Sequence, residues 1–179
     1  VYDKTILISS FSKDISLAGE RLGYVVVNPS ATHSKSLCTW ISNNNDRLGN
    51  LSPPSLIQHV LVDVYKKYGG LPNQSDTYEV KVNHMHKKLL SISGLTCTKP
   101  AGTFYLLPRL PDGIDDQAFA DKLAHRGVLV VPGSAFGAPG HIRLAALPSL
   151  GEIDSACDVI ESVLKSEVEA KENFEIATR

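Results

Sequence analysis

Apolar positions follow two different periods along this chain: short β-branched runs, and longer stretches in which an apolar residue returns every three or four positions. Thr5 to Ser9 and Tyr24 to Val27 have the composition of short buried strands and bracket a polar segment. Asn28-Pro29-Ser30 predicts a turn, since proline restricts both its own backbone and that of the residue before it. A short helix is expected over Ser34 to Asn44. The run Asn43-Asn44-Asn45-Asp46 reads as its end, because these side chains compete for nearby backbone groups. After Ser52-Pro53-Pro54, the spacing of Leu56, Val60, Val64 and Tyr68 predicts a helix with an apolar face that runs to Gly69-Gly70.

Leu71 to Thr77 is polar, and Tyr78 to Ile92 then reads as a helix through Val82, Met85, Leu89 and Ile92. That connection is the candidate boundary between a first domain, 1–75, and a second, 76–179. Beyond it, Thr96 to Thr98 is strand-like and Phe104 to Leu107 a strand. Asp115 to Arg126 follows as a helix closed by Gly127, then Val128 to Val131 and Ile142 to Leu144 as strands. Ser149 and Glu152 form a capping box ahead of a closing helix whose Ile153, Cys157, Ile160 and Leu164 share one face. The charged stretch from Lys165 to Arg179 reads as solvated helix and fraying end. The alternation of element types gives an α/β class.

Composition narrows the function classes. The chain has 179 residues, 42% hydrophobic and 21% charged, which suits a conventional packed core rather than a disordered or disulfide-stapled chain. Its net charge of -1 argues against a broad nucleic-acid surface while leaving room for a local anion site. Cys38, Cys97 and Cys157 are odd in number and far apart, favouring a reducing, cytoplasmic compartment over a disulfide framework. The histidines have no metal-site arrangement, so no metal is expected. No apolar run approaches the roughly 20 residues of a membrane span, and the opening VYDKTILISS lacks a secretory pattern. The start at Val1 leaves both processing and a fragment of a longer polypeptide open.

The densest chemistry lies in Ser9-Ser10-Phe11-Ser12-Lys13, followed by Gly19-Glu20-Arg21-Leu22-Gly23-Tyr24. A lysine amine can form an imine with a carbonyl cofactor, while serine hydroxyls and an arginine fork can bind a phosphate. By residue type alone, Lys13 also fits a surface lysine, and Arg21 and Arg143 fit salt-bridge arginines.

Taken together, Ser10-Phe11-Ser12-Lys13 with Leu17, Gly19, Arg21 and Gly23 resembles the cofactor-lysine motif of class I pyridoxal-phosphate aminotransferases. Pro100-Ala101-Gly102-Thr103-Phe104-Tyr105 and Pro132-Gly133-Ser134-Ala135-Phe136-Gly137 resemble the small-domain signatures of that family, and Arg143 sits in His141-Ile142-Arg143-Leu144. The resemblance implies that Lys13 is the Schiff-base lysine and the acid/base that moves a proton between substrate Cα and cofactor C4′. It further implies that Ser10, Ser12 and Arg21 hold the phosphate of pyridoxal 5′-phosphate, and that Arg143 pairs with the substrate α-carboxylate. Phe104 and Phe136 are read as core or pocket-wall residues.

The implied fold is a fragment of pyridoxal-phosphate transferase fold type I: a remnant of the large domain followed by the small α/β domain. The implied function is exchange of an amino group between an amino acid and a 2-oxo acid, in a parent homodimer without nucleic-acid or membrane partners. The family's ring-stacking aromatic and its pyridine-binding aspartate belong to earlier segments than the twelve residues before Lys13. Ala145 stands where many relatives carry a small hydroxyl residue, and Tyr78 to His86 lacks the family's arginine-rich wording. A noncatalytic structural or oligomerisation fragment and a related lyase are the alternative readings.

Overall fold

The computed structural model describes residues 2–49 and 52–177. The chain divides into two compact units, Val1–Gln74 and Ser75–Arg179.

In the first unit, strand β1 (Ile6–Ser10) runs into a one-turn helix α1 (Phe11–Asp14), and strand β2 (Gly23–Val27) returns antiparallel to β1. The register places Ile6 opposite Val27 and Ser10 opposite Gly23. A side chain at position 23 would meet the Ser9 carbonyl oxygen at 2.8 Å, so only glycine lets the strands pair this closely. Both strands form, but the burial expected of them does not follow: Ile8 is 76% exposed, and Leu7, Val25 and Val26 are exposed as well. A two-stranded ribbon has too few layers to cover its own faces.

Asn28 makes the expected turn, its Oδ1 accepting from the Ser30 N–H at 3.0 Å. Helix α2 (Ser34–Arg47) then runs through the asparagine cluster instead of stopping at it. Asn44 donates its side-chain amide to the Trp40 carbonyl one turn back, 2.7 Å away, so the side chain is satisfied within the helix it was expected to end. Helix α3 (Ser55–Tyr68) ends at Gly69 as expected, but Leu56, Val60 and Tyr68 on its expected apolar face are exposed.

The second unit carries the core. Helices α4 (Ser75–Ser91), α5 (Asp116–His125) and α6 (Leu150–Ala177) pack with a three-stranded antiparallel sheet. The strands are β3 (Tyr105–Leu106), β4 (Val131–Pro132) and β5 (Ile142–Ala145), in the order β3-β5-β4. Val82, Met85 and Leu89 of α4 meet Phe119 and Leu123 of α5, Ile142 and Leu144 of β5, and the Ile153 to Leu164 stripe of α6. Of the apolar run Val128 to Val131, only the last residue enters a strand. Val128 and Val130 pack on the core from the connection, while Leu129 is exposed. The strand-like Thr96 makes a single bridge, to Arg109.

Both helix starts are capped, the second by the box expected from the sequence. Asp115 Oδ1 accepts from the Ala118 N–H at 2.8 Å, and Ser149 and Glu152 exchange the reciprocal bonds of a capping box. Helices α4 and α6 are joined at Asp154, whose Oδ1 lies 2.7 Å from His84 Nε2 and 3.2 Å from Lys88 Nζ. Farther along α6, Lys122 pairs with Glu167, and Lys171 donates to the Asp112 carbonyl at 2.7 Å. No described helix is long and apolar enough to cross a membrane.

Candidate functional site

The lysine segment is the connection between β1 and β2. Ser10 ends β1 and caps α1: its hydroxyl accepts from the Ser12 N–H at 3.1 Å and donates to the Ser12 hydroxyl at 2.9 Å. Lys13 follows on α1 and is exposed. The loop is closed by backbone bonds from the Phe11 N–H to Leu22 O and from the Leu17 N–H to Phe11 O, each 3.1 Å, and is seated on buried Ile15 and Leu22. The connection therefore holds two hydroxyls, an amine and the Arg21 guanidinium within one hydrogen-bonded loop.

Arg21 itself has a left-handed backbone, φ 52° and ψ 44°, with its Nη1 donating to the Ala18 carbonyl at 3.0 Å. That conformation is costly for any residue but glycine, by about 1–2 kcal/mol. Arg21→Gly removes that strain, so its urea midpoint should lie at or above that of Arg21→Ala. A glycine variant less stable than the alanine variant would contradict the strain assignment.

Arg143 belongs to the second unit, in the middle of β5. Burial alternates along that strand: Ile142 and Leu144 face the core, and Arg143 and Ala145 face outward, half-buried. Tyr105 opposes Ala145 in the register, which makes it a diagonal neighbour of Arg143 on the same face. The Arg143 guanidinium carbon lies 4.7 Å from the Tyr105 ring centroid and 4.2 Å from that of Phe136. Phe104 packs against Tyr105 and Tyr78, with ring centroids 4.6 and 5.2 Å apart.

Phe136 reaches the guanidinium from a single 3₁₀ turn, Gly133–Phe136, directly after β4. The turn is fastened by the Gly133 N–H to the His141 carbonyl at 2.7 Å, and by the Ala138 N–H to the Gly133 carbonyl at 2.9 Å. Asp116 anchors it from below. This buried carboxylate accepts from the Ser134 N–H at 2.7 Å and from the Gly140 N–H at 3.3 Å. Burial pushes its pKa up, but the bonds from Ser134 and Gly140 outweigh that effect and hold the carboxyl below its ordinary 3.8.

A carboxyl depressed in the folded state contributes stability above its unfolded value, and that contribution disappears as pH falls through the folded value. Asp116→Asn should therefore lower the urea midpoint at neutral pH, and by less once the pH is taken below the ordinary carboxylate value. An equal loss at both pH values would contradict this account.

The structure thus brings Ser10 and Ser12 into direct contact and puts Lys13 and Arg21 in the same loop, whereas Arg143 stands on a strand of the other unit. Asp116 was not singled out by the sequence reading. Its signal was the doubled Asp115-Asp116 at a helix start: the first caps the helix, leaving the second for another task.

An exposed-lysine loop on an antiparallel pair, followed by a helix-backed antiparallel sheet, is shared with solved fold type I aminotransferases, of which this chain covers 40–41%. The solved amino transferase of Eubacterium rectale superposes with a TM-score of 0.74 at 31% identity, over 92% of this chain and 40% of that one. The chain belongs to the family described as aminotransferase class I and II, whose model matches residues 1–160. It is 28% identical over 167 residues to aspartate aminotransferase of Bacillus subtilis, covering 89% of this chain and 41% of that protein. It is likewise 28% identical over 172 residues to aromatic-amino-acid aminotransferase 2 of Thermococcus litoralis, covering 92% of this chain and 42% of that one. The chain spans about 41% of the length of the curated relatives it matches.

Proposed function

We propose that this chain carries the cofactor lysine and the substrate-carboxylate arginine of a pyridoxal-phosphate aminotransferase, which exchanges an amino group between an amino acid and a 2-oxo acid. The observation that carries the reading is the β1–β2 connection, where the Ser10 and Ser12 hydroxyls, the Lys13 amine and the Arg21 guanidinium share one loop. This donor set fits the cofactor. Two hydroxyls and a planar cation suit a phosphate, and a primary amine suits a carbonyl carbon. Pyridoxal phosphate, when bound, supplies an electron sink for the charge that develops at substrate Cα.

In this reading Ser10, Ser12 and Arg21 hold the phosphate, and Lys13 takes a proton from Cα and returns one at C4′. Arg143 orients the amino or oxo acid by pairing its fork with the α-carboxylate. Residues 1–75 are the later part of the large cofactor-binding domain and 76–179 the small domain. The relatives named above are aminotransferases, which favours transfer over elimination and over a noncatalytic fragment. The protein acts as a homodimer in the cytoplasm. The compartment is read from Cys38, Cys97 and Cys157, odd in number and far apart in the sequence.

The test is the half-reaction in the native polypeptide. Adding an amino acid to the pyridoxal-phosphate-loaded protein should convert its absorbance to that of the amine form, and a 2-oxo acid should restore it. Release of ammonia without a regenerable amine form would sink the transferase reading.

A further inference from the structure

We propose that Tyr105 and Phe136 are positioning residues for Arg143: their rings hold the guanidinium over their faces, so that its N–H edge is presented to a carboxylate in one orientation. The inference rests on Arg143 being the carboxylate site and extends it to side chains outside the ion pair.

An unclamped arginine on an exposed strand face samples many rotamers, most of which aim the fork away from a ligand. Here the guanidinium carbon lies 4.7 Å from one ring centroid and 4.2 Å from the other, inside the range of cation–π attraction. A ring face attracts the cation but offers no acceptor, so the N–H groups are left for an in-plane partner.

The three side chains come from different constraints. Tyr105 is fixed by the register, opposite Ala145, whose small side chain leaves the diagonal path to Arg143 open. Phe136 is 52% exposed and has no core pocket of its own. What fixes it is the turn Gly133–Phe136, tied to the buried Asp116 through the Ser134 N–H and to His141 through the Gly133 N–H. A half-exposed phenylalanine on an anchored turn, with its ring under a guanidinium, is placed by what it holds.

The experiment compares Phe136→Leu, Phe136→Trp, Tyr105→Leu and Arg143→Ala in the native polypeptide by two readouts. The first is the NMR shift of the Arg143 Nε–H and Cδ protons, which ring currents move upfield. The second is the separation of KM from kcat for the amino acid. Each leucine variant should move the Arg143 protons downfield and raise KM by about 3- to 10-fold with a smaller change in kcat. Phe136→Trp should restore both readouts, which a purely structural role for the ring would not require.

A downfield shift with KM unchanged, or a Trp variant as impaired as the Leu variant, would overturn the positioning role. Arg143→Ala distinguishes that failure from failure of the underlying reading. If it leaves KM unchanged, Arg143 is not the carboxylate site and the clamp proposal falls with it. A large KM effect in Arg143→Ala with none in the leucine variants overturns the clamp alone.

Discussion

Lys13→Ala should reduce amino transfer in the native polypeptide by about 10²–10⁴-fold or more, the range lost when a positioned acid/base is removed, while the fold survives. The separation of the two effects follows from where the residue sits. Lys13 is exposed on the one-turn helix, and the loop around it is held by backbone bonds from Phe11 and Leu17 and by the buried Ile15 and Leu22. Exposed substitutions usually change stability by about 0.5 kcal/mol or less. Lys13→Arg should be equally inactive although it keeps the positive charge, because a guanidinium stays protonated and cannot exchange the proton. Urea denaturation beside steady-state kinetics checks both halves. An arginine variant with near-parental activity would show that Lys13 supplies only charge.

The second large effect is expected at Gly133. A Cβ there would lie 2.2 Å from the Ala138 carbonyl oxygen and 2.8 Å from both the Cβ and the carbonyl oxygen of His141. The closest obstacle is backbone, so no rotamer change relieves the clash and the turn itself must move. Overpacking of this kind costs about 1–3 kcal/mol. Moving the turn would break the Gly133–His141 bond and carry Phe136 away from Arg143. Gly133→Ala should therefore be destabilised and lose substrate affinity together. Gly102→Ala, where nothing lies within 4 Å of the added carbon, should do neither. Comparable behaviour of the two variants would remove the close approach as the reason for glycine in Pro132-Gly133-Ser134.

The sequence carried the local features well because their causes are local. The capping box at Ser149 and Glu152, the Asn28 turn and the helix stop at Gly69 each depend on residues within a few positions of one another. Legibility failed where the cause lay elsewhere in the chain. The asparagine cluster predicts a helix end because Asn competes for backbone, yet Asn44 competes by bonding back to Trp40 and the helix continues. The β-branched runs of β1 and β2 carry the composition of buried strands, but burial depends on a covering layer that composition does not reveal.

For the candidate site, the grouping of Ser10, Ser12, Lys13 and Arg21 in one loop was legible because they fall within one short motif, whereas the role proposed for Arg143 rests on the residues around it. The partners of Arg143 were not legible. Tyr105 reaches it through a cross-strand register and Phe136 through a turn, which Asp116 holds by accepting from backbone N–H groups 18 and 24 positions away. Pairings at that separation leave no periodicity for a sequence reading to detect.

The most direct measurement is the chemical location of the cofactor. The native polypeptide, loaded with one equivalent of pyridoxal phosphate, is reduced with borohydride, digested with trypsin and mapped by mass. The account predicts that the reduced pyridoxyl mass is on Lys13 and blocks cleavage there, giving a modified peptide from Thr5 to Arg21. Stoichiometric label on any other lysine, with Lys13 cleaved normally, would contradict it.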